Sequence, residues 1–470
     1  MMKRNLLVGN GINIQFGGVA YSSNFILKRM KYNSRLGKYD RLFNNKITGK
    51  EIENIFKGFV DIANAIIEDK YKSLTDNQDI LDAIKDFQDR YHDKVKQPYE
   101  IMLEDWLLLI YVFFLKNKDL SNYNIGVLQG FKELLLDGIY NDGKIQEIYQ
   151  NMNKQVKSFF KGYDKIFTLN YDNNIESLTH KTVFHLHGDF SVLHDSENKE
   201  NVLGYIRSKK GELAYIPEMK HCFCNALLNF SGKLKYEYAE SRHKIILESE
   251  KYLEKYKSDP NFINYISEEN QLYAEMIKTK FKHPELKMAT EYYFNELKNI
   301  EGQLDIIGMS PNNDAHIFDL IMENHKIRII AFYYFDEKEK KYIEENFPRD
   351  RFICKSVNEL WKSLNSAKKV YSCNYNIPDA GRDIIKAINL LSDDEISFEE
   401  IKKKVNQVPR FEMNRLSKAV KNELLKVNPN HKSLTAKEFE KENALICQIA
   451  LQEGIHPSIL YLICVMSWGK

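Results

Sequence analysis

Short apolar runs punctuate this chain at Asn5–Val8, Asp164–Leu169, Thr182–Leu186, Leu304–Ile307, Ile327–Tyr333 and Arg351–Cys354. Stretches with apolar residues at helical spacing separate several of them. Strands joined by helices cannot pair as hairpins. The order predicts an α/β, Rossmann-like, mostly parallel sheet with helices on both faces. In an open sheet of this kind, ligand-binding groups gather beyond the carboxyl ends of the strands. Polar clusters sit there in this chain: Gly9-Asn10-Gly11-Ile12-Asn13, Thr168-Leu169-Asn170-Tyr171-Asp172, His187-Gly188 and Gly308-Met309-Ser310.

A chain of 470 residues is too long for one ordinary core. Large helical insertions are expected at about 46–161 and 212–299, and residues 371–470 carry helical patterns only. Pro378-Asp379-Ala380-Gly381 marks the break before this tail. Within it, Ser397 is placed to cap a helix, with Glu400 three residues on, and Ser433-Leu434-Thr435 precedes another helix. The domain reading is therefore 1–370 for the sheet with its insertions and 371–470 for a separate helical domain. Net charge is +2, with 68 basic and 66 acidic residues, which gives no electrostatic reason to expect nucleic acid or an anionic membrane as partner. The six cysteines form no CxxC pair, so a reducing, cytoplasmic setting is expected. The N-terminus lacks the pattern of a signal peptide.

Each cluster has a functional and a plain structural reading. Glycines after a strand let backbone N–H groups approach a phosphate, and Asn13 and Gln15 add donors; the alternative is an unliganded strand-to-helix turn. The segment Gly9–Gly18 reads as a glycine-rich loop. Asn170 and Asp172, two apart on an extended segment, point to one crevice; the alternative is an Asx turn capping the next helix. His187 lies at the mouth of its strand, where it could accept a proton near neutral pH, or simply bond a loop carbonyl. His185, deeper, reads as a core histidine. Gly308 permits close backbone approach, and Ser310 is placed to bond a phosphate or ribose. His221-Cys222-Phe223-Cys224 lacks the second ligand pair of a structural zinc site, so no zinc is expected.

Taken together and in order, these motifs resemble the sirtuin-like superfamily of NAD-binding proteins. The variant Gly9-Asn10-Gly11 and the stretch Gly17–Phe25 are similar to a bacterial subgroup that includes AbiH abortive-infection proteins and sirtuin-like antiphage effectors. The resemblance covers about residues 1–365. It implies that Gly9, Asn10, Gly11 and Asn13 cradle the NAD pyrophosphate. Asn170 and Asp172 would hold the nicotinamide ribose and a water, His187 would act as general base, Gly188 beside it would contact the dinucleotide, and Gly308 and Ser310 would line the adenosine side. The paired CxxC ribbon of the deacetylases is missing, which turns the implied activity from deacetylation to NAD hydrolysis in antiphage defence. NAD is then substrate rather than cofactor. Because free NAD hydrolysis would kill a host, gating by self-assembly or by a regulatory subunit is expected, with the helical tail as the available material. The rival expectation is a binding module that senses NAD or an ADP-ribose derivative.

Overall fold

A computed structural model describes residues 2–71, 75–116, 125–193, 204–206, 216–228, 231–311, 313–377, 385, 388, 396–427, 429 and 443–468. Six strands form one all-parallel sheet: β1 (Arg4–Val8), β2 (Lys165–Thr168), β3 (Phe184–His185), β4 (Gly302–Ile307), β5 (Ile327–Tyr334) and β6 (Phe352–Ser356). Their order across the sheet is β3-β2-β1-β4-β5-β6. The expected α/β class is thus observed. The third strand is the shortest, with two residues where the apolar run suggested five.

The central strand explains its own placement. Leu6, Leu7 and Val8 are wholly buried. Leu6 and Val8 pack into one core and Leu7 into the other, on opposite faces of the sheet. A strand covered on both faces reads as a continuous apolar run, and it does so here. The chain builds outward from β1 in one direction through β2 and β3, then returns to β1's other edge as β4. The β1/β4 junction is therefore the topological switch point, where loops diverge and leave a crevice.

The first helical insertion begins earlier than about residue 46. Helix α1 (Gly11–Gly17) starts directly after the turn, and α2 (Ser23–Arg35) follows. The segment read as a glycine-rich loop is therefore mostly helix, and only Gly9 and Asn10 form the turn. In the second insertion the described helices run Gly232–Ser258, Phe262–Glu269, Gln271–Lys282 and Phe294–Lys298.

Beyond residue 371 the described elements are helical, with their own apolar cluster around Ile401, Leu416, Val420 and Leu460. Ser397 caps the helix Phe398–Val405, accepting from the Glu400 N–H at 3.2 Å, as its spacing predicts. The break at 378–381 and the segment 433–435 lie outside the described residues. The tail shares α2 with the rest of the molecule. Tyr32 of α2 joins the tail's cluster, and its hydroxyl donates to the Ala444 carbonyl at 2.5 Å. The buried Arg29 guanidinium donates to the carbonyls of Gly138 (2.9 Å), Leu451 (3.1 Å) and Ala20 (3.3 Å). It thereby bridges insertion, tail and the segment after α1. Among the described residues no single helix is long and apolar enough to cross a membrane. The bent pair Ala444–Glu453 and Pro457–Trp468 meets at 107°, and the second helix is largely buried inside the protein.

Candidate active site

A cavity of about 570 Å³ opens at the switch point, within the ~300–1,000 Å³ range of small-molecule sites. Gly9, Asn10, Gly11 and Asn13 line it from the β1 side, and Gly308 and Ser310 from β4. Asn170 comes from the turn after β2, and His187 from just beyond β3. Segments far apart in sequence thus meet around one hollow. Asp172 and Gly188 stand behind that wall and are not among its lining residues.

The glycines have a local reason to be glycines. The Gly9 N–H donates to the Ile307 carbonyl and the Gly11 N–H to the Gly308 carbonyl, each at 3.0 Å. A Cβ on Gly9 would lie 2.5 Å from the Gly308 oxygen, and one on Gly11 2.5 Å from the Gly308 Cα. Gly308 itself sits at φ +70°, a left-handed conformation that suits glycine. The two turns are therefore locked edge to edge by backbone contact. Two of the N–H groups that the sequence offered to a phosphate are already engaged by this packing.

Asn170 and Asp172 play different structural parts. The strand ends at Thr168, so the alternation of an extended segment does not carry on to Asp172. The Asn170 amide Nδ2 reaches the Gly9 carbonyl at 3.3 Å, and its backbone N–H donates to Thr168 Oγ1 at 3.0 Å. Its Oδ1 has no protein partner among the described residues. The buried Asp172 carboxylate accepts from Asn13 Nδ2 (2.7 Å), the Asn174 N–H (3.1 Å) and Asn174 Nδ2 (2.6 Å). That is the Asx turn leading into the helix Asn174–Thr179, extended into a brace for Asn13. Burial holds the Asp172 pKa above the ordinary carboxylate value, and the donated bonds only partly offset this.

The histidine that ends β3 and the one just beyond it also diverge. His185 is bonded on both ring nitrogens, to the Asn170 carbonyl at 3.0 Å and to Glu176 Oε1 at 2.5 Å. Burial opposes its charge, yet Glu176 prevails and lifts its pKa to about 9. His187 is 2% exposed, and its buried Nε2 has no hydrogen-bond partner among the described residues. Its ring stacks on that of His316, with centroids 5.8 Å apart and an interplanar angle of 14°. Burial first, then the charge of Lys235 and the neighbouring His316, push its pKa well below the ordinary histidine value. His187 is therefore a neutral imidazole at pH 7, able to accept a proton. It gains basic strength only when negative charge comes close.

The helical insertions contribute groups to this end of the cavity that no motif in the sequence announced. Glu104 lines the hollow from the first insertion. It accepts from Lys235 Nζ at 3.2 Å and from the Tyr171 hydroxyl at 3.3 Å. Lys235, on the helix Gly232–Ser258, is almost completely buried. Asp314 also lines the cavity; burial and the charge of Glu104 raise its pKa to about 7. At the other side Gln15 and Lys368 line the hollow; Gln15 donates to the Ser366 carbonyl at 2.7 Å, while Lys368 donates to the Ile14 carbonyl at 2.9 Å. Together they fasten α1 to the segment after the helix Val357–Ser363.

The discounted Cys/His cluster is committed elsewhere. His221 Nε2 pairs with Asp137 Oδ1 at 3.1 Å, and its ring stacks on Tyr140 at 4.0 Å. Cys222 Sγ lies 3.2 Å from the Glu133 carbonyl, and Cys224 is buried. Among the described residues no group of three His, Cys, Asp or Glu side chains is arranged to hold a metal ion. Compared with family models, curated proteins and solved structures, the chain gives no match.

Proposed function

We propose that the cavity binds NAD and that the chain hydrolyses the nicotinamide–ribose bond, acting as a gated effector of bacterial antiphage abortive infection. The observation that carries this reading is the convergence of the Gly9–Asn13 turn, Asn170, His187 and Gly308 on one hollow at the switch point. The order of these motifs resembles that of sirtuin-like NAD hydrolases. In the proposed reaction the C1′–N1 bond breaks and nicotinamide leaves as a neutral base with the bonding pair. Positive charge builds on the ribose carbon, as in glycoside cleavage. Water adds at C1′, and its proton passes to His187. Asn170 Oδ1, which has no protein partner among the described residues, would orient that water. General-base help of this kind contributes roughly 10²–10⁴-fold.

The test is nicotinamide release from NAD by purified full-length protein. His187→Ala and Asn170→Ala are each expected to remove most of the release while circular dichroism stays unchanged. Undiminished release by His187→Ala contradicts the assignment. Gating is assigned to the tail, through self-assembly or a regulatory subunit. A mass measurement that finds the same monomer with and without residues 371–470, partner present, contradicts that part.

One observation favours a second reading, a non-catalytic sensor of NAD or an ADP-ribose derivative. The environment of His187 holds its pKa well below neutrality, which suits a neutral hydrogen-bonding group better than a strong base. Stoichiometric binding of NAD without nicotinamide release, partner included, selects this reading.

A further inference from the structure

Two carboxyl groups reach the His187 end of the cavity from separate parts of the chain. Glu104 is set by a rigid frame. Its neighbour Asp105 is gripped by both terminal nitrogens of Arg90, at 2.6 and 2.8 Å, and by the Tyr91 hydroxyl at 2.9 Å. Arg90 also donates to Ser231 Oγ at 3.0 Å, immediately before the helix that bears Lys235. The first and second insertions are thereby joined at the floor of the site. The Lys235 and Tyr171 contacts to Glu104 both fall on Oε1. Oε2 is left without a protein partner among the described residues.

Asp314, just ahead of the helix Ala315–Glu323, supplies the second carboxyl group. Lys235 acts electrostatically on Asp314, His187 and His316 alike, so these groups share one neighbourhood. The charge balance there is simple. Lys235 is paired with Glu104, and Arg90, whose charge also reaches Asp314, is paired with Asp105 and Asp86; both histidines are neutral, and the Asp314 carboxylate, when ionised, has no ion-pair partner of its own among the described residues. A buried carboxylate without a counter-charge is costly, and a cationic ligand relieves the cost. His187, fully enclosed at Nε2 and without a protein partner, is a second and independent sign of a ligand at this end.

We propose that Glu104 and Asp314 form a subsite for the positively charged pyridinium ring of an oxidised nicotinamide dinucleotide, so that the cavity takes NAD+ in preference to NADH. The inference rests on the dinucleotide reading above and adds which form of the molecule is taken. The reduced ring is uncharged and gains nothing from the carboxylates. The same arrangement aids product release, since free nicotinamide is neutral and loses the attraction that held the ring.

The test uses the full chain and calorimetric titration with three probes: carba-NAD+, whose ring is charged but whose C1′–N1 bond resists cleavage; NADH; and ADP-ribose, which has no ring. Wild type is expected to bind carba-NAD+ about tenfold or more tighter than NADH, a ratio that one partly screened charge pair supplies. Glu104→Gln and Asp314→Asn are each expected to reduce that ratio severalfold while ADP-ribose affinity holds. Equal binding of carba-NAD+ and NADH by wild type, or an unchanged ratio in both variants, overturns the inference while leaving the dinucleotide site standing. Failure of all three probes to bind overturns the dinucleotide reading, and this inference with it.

Discussion

Asn13 Nδ2 donates to the Asp172 carboxylate across 2.7 Å, and both side chains are buried. This bond fixes the helix after β1 to the turn after β2, behind the wall of the cavity. Asp172→Ala would strand two donors, Asn13 Nδ2 and the Asn174 N–H, and leave Asn174 Nδ2 only its bond to the Ile145 carbonyl at 2.7 Å. The expected loss is about 2–4 kcal/mol of stability, read from urea unfolding midpoints. Asn13→Ala and the double variant complete a cycle in which the two losses add up to more than the pair together. Additive losses would show that the bond does not couple the two turns.

The contact between Gly11 and Gly308 predicts an intolerance to even one methyl group. Gly11→Ala puts a carbon 2.5 Å from the Gly308 Cα, against backbone that cannot swing aside. Gly308→Ala adds the strain of a positive φ. Both are expected to cost about 1–3 kcal/mol and to weaken binding at the switch point. Gly18→Ala serves as the comparison: it shares a positive φ but meets nothing within 4 Å. Equal melting temperatures for the Gly308 and Gly18 variants would contradict the packing argument.

Stability should depend on pH through Asp314. Folded Asp314 keeps its proton up to about 7, because burial and then Glu104 disfavour its charge; its ordinary value is 3.8. Between those values the native state binds more protons than the unfolded one. Asp314's contribution is therefore full below 3.8 and is lost as pH rises through 7. Asp314→Asn removes this dependence, so its stability relative to wild type should climb from pH 4 to pH 7 and level off above. His316, whose pKa burial and then Lys235 lower to about 3 from 6.5, works in the opposite direction. Its contribution is lost as pH falls through that window, and His316→Asn should gain on wild type under acid conditions. Denaturant midpoints at several pH values separate the two slopes.

Arg29 is the residue to change in order to loosen the tail. Removing its guanidinium leaves the carbonyls of Gly138, Leu451 and Ala20 without that donor. Arg29→Met is expected to cost about 2–4 kcal/mol and to speed proteolysis after residue 371. Because Tyr21 and Ile26, next to this junction, line the cavity, NAD turnover should change as well. Unaltered cleavage kinetics would mean that the tail is held mainly by its apolar face.

The strands were legible in the sequence because a parallel sheet buried on both faces demands unbroken apolar runs, as in Leu6-Leu7-Val8. The meeting of Gly9, Asn170, His187 and Gly308 was legible because ligand-binding groups follow strand ends. Asp172 was misplaced for a physical reason: β2 stops at Thr168, and side-chain alternation ends with it. Glu104 and Lys235 left no signal, since each is one charged residue in a helical stretch with many. Only the packing of two insertions against each other brings them under the site.

The most direct measurement is a crystal structure of the full chain with carba-NAD+. The account predicts the pyridinium ring against His187 and Asn170, near Glu104 and Asp314, with the pyrophosphate lying along the cavity face of the joined Gly9–Gly11 and Gly308 turns. A dinucleotide bound elsewhere on the chain, or the ring turned away from His187 toward Lys368, would contradict it.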